Sequence, residues 1–208
     1  MNSGTDLSRK GRNCVRKLCC VPMIVLLFLT GCSGRASISE GEELALAIRG
    51  EFLEASVCTA SAEVTADYGQ RVCRYEMDVS VTEEETLLVI TGPETVAGIT
   101  ARIRGEEGLL EYDGVSVETG ILNQDGLTPV SSVPVLLEAV RSGYMISCML
   151  DEESGLLRVD CGDPEGTPGQ GVEITLWFEQ SSHALIRGEI MNDGFRVIDC
   201  AFSQFTKE

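Results

Sequence analysis

From Cys58 to Ala66 every second residue is apolar (Cys58, Ala60, Ala62, Val64, Ala66), and Thr59, Ser61, Glu63, Thr65 and Asp67 alternate with them. A period of two is the signature of a strand with one buried and one wet face. Tyr68-Gly69-Gln70-Arg71 then reads as a turn. The return run places Cys73, Tyr75, Met77, Val79 and Val81 on one face and Arg74, Glu76, Asp78 and Ser80 on the other. A turn at Gly69-Gln70 sets Ala66 opposite Cys73 and leaves Cys58 about 26 Å further along. Those two thiols cannot bond within one hairpin.

The pattern repeats down the chain. Glu83-Glu84-Glu85, Glu106-Glu107, Asp113-Gly114 and Asn192-Asp193-Gly194 each separate apolar runs and read as hairpin punctuation. The acidic pairs fall at these tips, so they read as solvated turns rather than as a general acid and base. Further strands are expected near 144–150, 156–161, 172–179, 184–190 and 195–205. Asp163 to Gly171, rich in Gly and Pro, reads as a flexible loop.

Two helices interrupt the strands. Ser39 and Glu42 have capping-box spacing, and Leu44, Ile48, Phe52 and Ala55 follow at helical intervals, which predicts a helix over 40–55. Val133, Leu136, Leu137 and Val140 are spaced i, i+3, i+4, i+7, with Pro134 suited to a first turn and Gly143 after the end. The expected fold is mainly β (α+β): a strongly curved, part-closed antiparallel barrel of about eleven strands, with an N-terminal helix and one inserted helix.

Ahead of this body stands a targeting segment. Arg9, Lys10, Arg12, Arg16 and Lys17 precede the uncharged run Val21 to Thr30, and Leu29-Thr30-Gly31-Cys32 closes it. A basic n-region, a short apolar h-region and small residues at the end are the layout of a secretory signal. The apolar run has ten residues, whereas a spanning helix needs about 20. A short membrane anchor or an ordinary signal are the alternatives. Leu29 to Cys32 resembles the lipobox of bacterial lipoproteins, which implies cleavage before Cys32 and long, palmitate-type acyl chains on it. The expected division is 1–31 signal peptide, 32–37 lipidated cysteine and tether, and 38–208 folded domain. The expected location is extracytoplasmic, with Cys32 anchored in the bacterial cell membrane.

Charge narrows the partners. After Cys32 the chain carries 32 acidic against 11 basic side chains, a net charge near −21. Such a surface repels nucleic acid. Five cysteines follow Cys32, namely Cys58, Cys73, Cys148, Cys161 and Cys200. An extracytoplasmic address permits disulfides, and an odd count leaves at least one thiol free or bonded to another molecule. A two-residue turn at Ser154-Gly155 would place Cys148 opposite Cys161, within disulfide reach. A longer turn through Asp151-Glu152-Glu153 would shift that pairing, and two buried thiols are the alternative.

Signals for catalysis are sparse. His183 is the single histidine, in the turn-like Gln180-Ser181-Ser182-His183, and reads as a loop residue without a role. There is no CxxC, HExxH, P-loop or GxGxxG before a helix, so no metal, cofactor or catalytic residue is expected. Trp177 lies on the face opposite Val172, Ile174, Leu176 and Phe178, as an exposed contact or under a neighbouring helix. Alanines at three of five inward positions of the first strand point either to an apolar cavity lined by Ala60, Ala62, Val64, Ala66, Tyr75 and Met77, or to close packing of a helix.

The body as a whole resembles the lipoprotein-localisation factors of LolA/LolB-like fold, closest to the lipid-anchored branch that includes the germination lipoprotein GerS. The resemblance covers nearly all of 38–206. It rests on the first helix, the hairpin Cys58 to Val81, the run Val89 to Thr100 (VITGPETVAGIT), Leu110-Glu111-Tyr112-Asp113-Gly114, Thr175-Leu176-Trp177-Phe178 and the closing strand Gly194 to Phe205. It implies a part-closed barrel covered by helices. It also implies either an interior that holds an apolar ligand or a lipoprotein acyl chain, or a scaffold for an envelope enzyme in germination.

Overall fold

The computed structural model describes residues 39–208; the expected signal, Cys32 and the tether lie outside them. The elements are α1 (Glu40–Glu54), β1 (Val57–Asp67), β2 (Val72–Thr82), β3 (Thr86–Gly92), β4 (Thr100–Arg104), β5 (Glu107–Tyr112), β6 (Val115–Ile121), α2 (Pro129–Ser142), β7 (Met145–Asp151), β8 (Leu156–Cys161), β9 (Val172–Glu179), β10 (Leu185–Asn192) and β11 (Phe195–Lys207). All eleven strands form one antiparallel sheet in the order β6-β5-β4-β3-β2-β1-β11-β10-β9-β8-β7. The expected eleven strands and two helices are present. The sheet is curved and unclosed, since β6 and β7 form its two edges.

The order has a simple cause. Each alternating run folds back on the previous one, giving one meander from β1 to β6 and another from β7 to β11. The first and last strands then join them, with Val64 opposite Cys200 and Ala62 opposite Phe202. One connection is left, from edge β6 to the far edge β7, and it has to cross the sheet. That connection is α2, which lies against β1, β9, β10 and β11.

The first hairpin has the expected register, with Ala66 opposite Cys73 and Cys58 opposite Val81. Asp113-Gly114 and Asp193-Gly194 turn with positive φ at both residues (48° and 78°; 51° and 74°). That geometry matches the right-handed twist of the flanking strands.

Helix α1 begins at Ser39, whose hydroxyl accepts the Glu42 N–H at 3.2 Å. Its buried face is Gly41, Ala45, Ile48 and Phe52, so Leu44 is only half-buried and Ala55 caps the end. Gly41 is required by proximity, because a Cβ there would stand 2.8 Å from the Cys148 carbonyl oxygen on β7. Helix α2 starts one turn earlier than the apolar spacing implied. Thr128 is its N-cap and exchanges hydrogen bonds with Ser131, and Pro129 occupies the first turn. Pro134 therefore sits inside the helix, where it cannot donate to a preceding carbonyl.

Arg49 ties the helices together, donating from Nε to the Val140 carbonyl (2.8 Å) and from Nη2 to the Gly143 carbonyl (2.6 Å). A guanidinium at the carbonyl end of α2 also suits the helix dipole. Val133, Leu136, Leu137 and Val140 are buried in the core cluster with Phe52, Leu176, Phe178 and Ile198.

Candidate functional site

Beside α2 a cleft of about 430 Å³ opens between the helix, the β2–β3 turn, the β4–β5 turn and the segment after β6. Val81, Ile103, Leu122, Val135 and Leu137 supply its apolar lining, and Glu83, Glu84, Glu106 and Glu138 its acidic lining. Apolar pockets of about 300–1,000 Å³ with a few convergent polar groups are the usual form of a small-molecule site. The cleft arises because the helix crosses a curved sheet and leaves space at the turn-bearing end.

The rim is partly neutralised from within. Glu85 accepts from Arg102 Nη1 (2.5 Å) and Arg104 Nε (3.0 Å). The Arg102 contact, then Arg104, holds the Glu85 carboxyl below the usual glutamate range against the opposing effect of desolvation. Glu106 accepts from Gln124 at 2.9 Å. Arg141 donates to the Phe52 carbonyl at 3.2 Å. Glu83, Glu84 and Glu138 form no ion pair among the described residues. The acidic triplet is thus a solvated turn at Glu83 and Glu84 only; Glu85 is a paired residue that fastens β3 to β4.

The six residues expected to line a cavity share one face of the first hairpin. Ala60, Ala62, Val64, Ala66 and Met77 are buried, and Tyr75 packs against the core half-buried. None of them lines the 430 Å³ cleft. Larger residues flank the alanines, since Ala62 sits between Met77 and Phe202. Helix α2 contacts this strand.

The expected pairing of Cys148 with Cys161 is corrected by the register. Asp151 accepts from Glu153 N, Ser154 N and Ser154 Oγ, which builds a four-residue turn closed by Asp151 opposite Leu156. The partner of Cys148 shifts by two residues, to Val159, and the irregularity between Met145 and Ser147 then sets Cys161 opposite Met145. A shift of two keeps both thiols on the same face but makes them diagonal neighbours. Diagonal Cα atoms are about 7–8 Å apart, beyond the usual disulfide span of about 4.4–6.8 Å. All five cysteines of the described residues are free thiols. Burial pushes Cys161 up to about 11 and raises Cys200 further.

His183 has a structural partner that sequence reading missed. Its Nδ1 lies 2.7 Å from Glu51 Oε1, and Lys207 Nζ donates to the other Glu51 oxygen and to the His183 carbonyl (3.2 Å). The trio joins α1, the β9–β10 turn and the end of β11. The Lys207 contact holds the Glu51 carboxyl below its ordinary range, aided by His183 and opposed by desolvation. His183 has a positive φ (57°) in the β9–β10 turn. Trp177 is a half-buried residue of the outer face, flanked on adjacent strands by Arg158 (5.8 Å to the ring) and Arg187 (5.0 Å). Among the described residues no group of three or more His, Cys, Asp or Glu side chains is arranged to hold a metal ion.

No family model and no curated protein matches the sequence. Solved structures of similar chain path exist at low identity. One is a DUF1329 family protein from Desulfovibrio piger, 10% identical over 82% of this chain and 93% of that one, with a TM-score of 0.48. Another is a LolA superfamily protein from Nitrosomonas europaea, 12% identical over 79% and 93%, TM-score 0.42. A third is the structure of the CwlD amidase with the GerS lipoprotein from Clostridioides difficile, 14% identical over 82% and 97%, TM-score 0.43.

Proposed function

We propose that this chain is a non-enzymatic, lipid-anchored extracytoplasmic lipoprotein that binds an apolar ligand or acyl chain. The reading combines the lipobox-like Leu29-Thr30-Gly31-Cys32 with the cleft beside α2, and the cleft is the observation that carries it. An apolar chain would lie on Val81, Ile103, Leu122 and Val135. Burial of each CH₂ contributes about 0.8 kcal/mol, so a short alkyl chain is enough for useful affinity. The acidic rim disfavours an anionic headgroup at the mouth.

Native mass spectrometry on residues 38–208, which form a compact unit of their own, tests this. The protein would be secreted and purified without detergent. A lipid-sized mass released on denaturation, and lost in Glu138→Trp, is the expected result. Glu138 is exposed on the cleft wall, so this change blocks the cleft without touching the core. A bound mass that survives Glu138→Trp would move the ligand elsewhere, and an apo mass in both would count against the reading.

A second reading is a scaffold for an envelope partner enzyme, as in spore germination. It is favoured by β6, an edge strand in which all seven residues are exposed. Val115, Val117 and Ile121 stand out from it, with no proline or lysine to blunt it. Such an edge can accept a further strand. Cross-linking from β6 in cells, giving a single defined adduct, would support this reading over the first.

A further inference from the structure

Another cleft, of about 550 Å³, lies between α1, the end of α2 and β7. Ser39, Leu46, Tyr144 and Ile146 line it, together with Arg49 and Met145. Leu46, Tyr144 and Ile146 are 48%, 58% and 56% exposed, so among the described residues three large apolar side chains gather uncovered on one face. The same cleft holds Ser39, the first described residue. Chain and apolar surface therefore meet at one place.

We propose that this face rests on the surface of the bilayer that anchors the protein. The inference rests on lipidation of Cys32. Cys32 precedes Ser39 by seven residues, which span at most about 25 Å when fully extended. Ser39 is thus held close to the headgroups, and the surface around Ser39 is the one the tether presents to them. A tyrosine with apolar neighbours suits that depth, because its ring is apolar and its hydroxyl wet. The anchor raises the local concentration of the bilayer, so a small apolar contact is sufficient to orient the body.

Charge selects the lipid. Glu40, Glu42 and Glu43 stand in the first turn of α1. Arg49, the cation of the cleft, is committed to the Val140 and Gly143 carbonyls. The surface offered is apolar with an acidic border, which fits a zwitterionic headgroup layer and is repelled by an anionic one. The consequence is an orientation: the β7 edge lies down on the membrane and the β6 edge, across the sheet, points away from it.

The test uses the full chain, processed in a bacterium and reconstituted into phosphatidylcholine vesicles with brominated acyl chains. In a Trp177→Phe background, a single tryptophan is introduced by Tyr144→Trp on the proposed face or by Val117→Trp on β6. Both positions are exposed, so neither change disturbs the core. The expected result is bromine quenching several-fold stronger for Tyr144→Trp than for Val117→Trp. Adding phosphatidylglycerol at low salt should reduce it, and Ile146→Asp should reduce it further. Equal quenching at both positions, stronger quenching at Val117→Trp, or a Tyr144→Trp signal shielded by a second copy instead of lipid would overturn the orientation. An intact mass without acyl chains on Cys32 would overturn the anchor itself, a failure distinct from the others.

Discussion

Gly188 on β10 faces Leu136 on α2 so closely that a Cβ at position 188 would stand 2.7 Å from both δ-carbons of Leu136. Leu136 is fully buried, and its rotamer is confined by the core around it. The absent side chain at 188 is therefore what lets α2 lie in the hollow of the sheet. Overpacking of this kind costs about 1–3 kcal/mol, and Leu136→Ala alone about 2–5 kcal/mol through the void it leaves. Gly188→Ala combined with Leu136→Ala should cost clearly less than the sum, because each change makes room for the other. Urea midpoints at constant m-value would show the coupling, and strict additivity would separate the two residues.

Acid sensitivity should reside partly in the strut between β3 and β4. Glu85 is held below the usual glutamate range chiefly by Arg102 and secondarily by Arg104. A carboxyl depressed in the folded state contributes stability that is complete above the unfolded pKa. That contribution is lost as the pH falls through the folded value. Wild type should therefore exceed Glu85→Gln in urea midpoint at neutral pH, and the gap should close on acidification below the ordinary glutamate range. A pH-independent gap would mean that Glu85 acts through shape alone.

Thiol reactivity should follow burial. Cys73 and Cys148 are partly exposed, whereas Cys58, Cys161 and Cys200 are buried. Burial raises the thiols of Cys58, Cys161 and Cys200, which lowers their thiolate fraction at neutral pH. Burial raises Cys148 as well. Native labelling followed by peptide mapping should find Cys73 modified first and Cys148 more slowly. The other three should react only in denaturant. A peptide linking Cys148 to Cys161 in unreduced protein would show that the β7–β8 register can shift.

The strands were legible because alternation is a local signal. Cys58 to Ala66 and Cys73 to Val81 state their faces without reference to anything distant, and even their register followed from Gly69-Gln70. Asp113-Gly114 and Asp193-Gly194 were equally readable, since turn chemistry is confined to two residues. The register of β7 and β8 was not, although its turn is also local. Asp151 can cap the turn through its own side chain, and that choice moved the partner of Cys148 from Cys161 to Val159. The start of α2 was missed for a similar reason. The apolar spacing marks the buried stripe from Val133 onward, whereas Thr128 and Ser131 determine where the helix begins.

The candidate site belongs to the other category. Nothing near Leu122, Val135 or Glu83 announces a cleft, because its walls come from segments far apart in the chain. The same holds for His183, whose partners Glu51 and Lys207 lie on the first helix and the last strand. Periodicity and hairpin chemistry dictate the class of fold, and the short apolar run Val21 to Thr30 carries the expected address, since each depends on residues adjacent in sequence. The placement of α2 against β1, β9, β10 and β11, the cleft beside it, and the gathering of Leu46, Tyr144 and Ile146 next to Ser39 depend on how a curved sheet brings distant side chains together. That is settled by packing in three dimensions, where contact is no longer a function of separation along the chain.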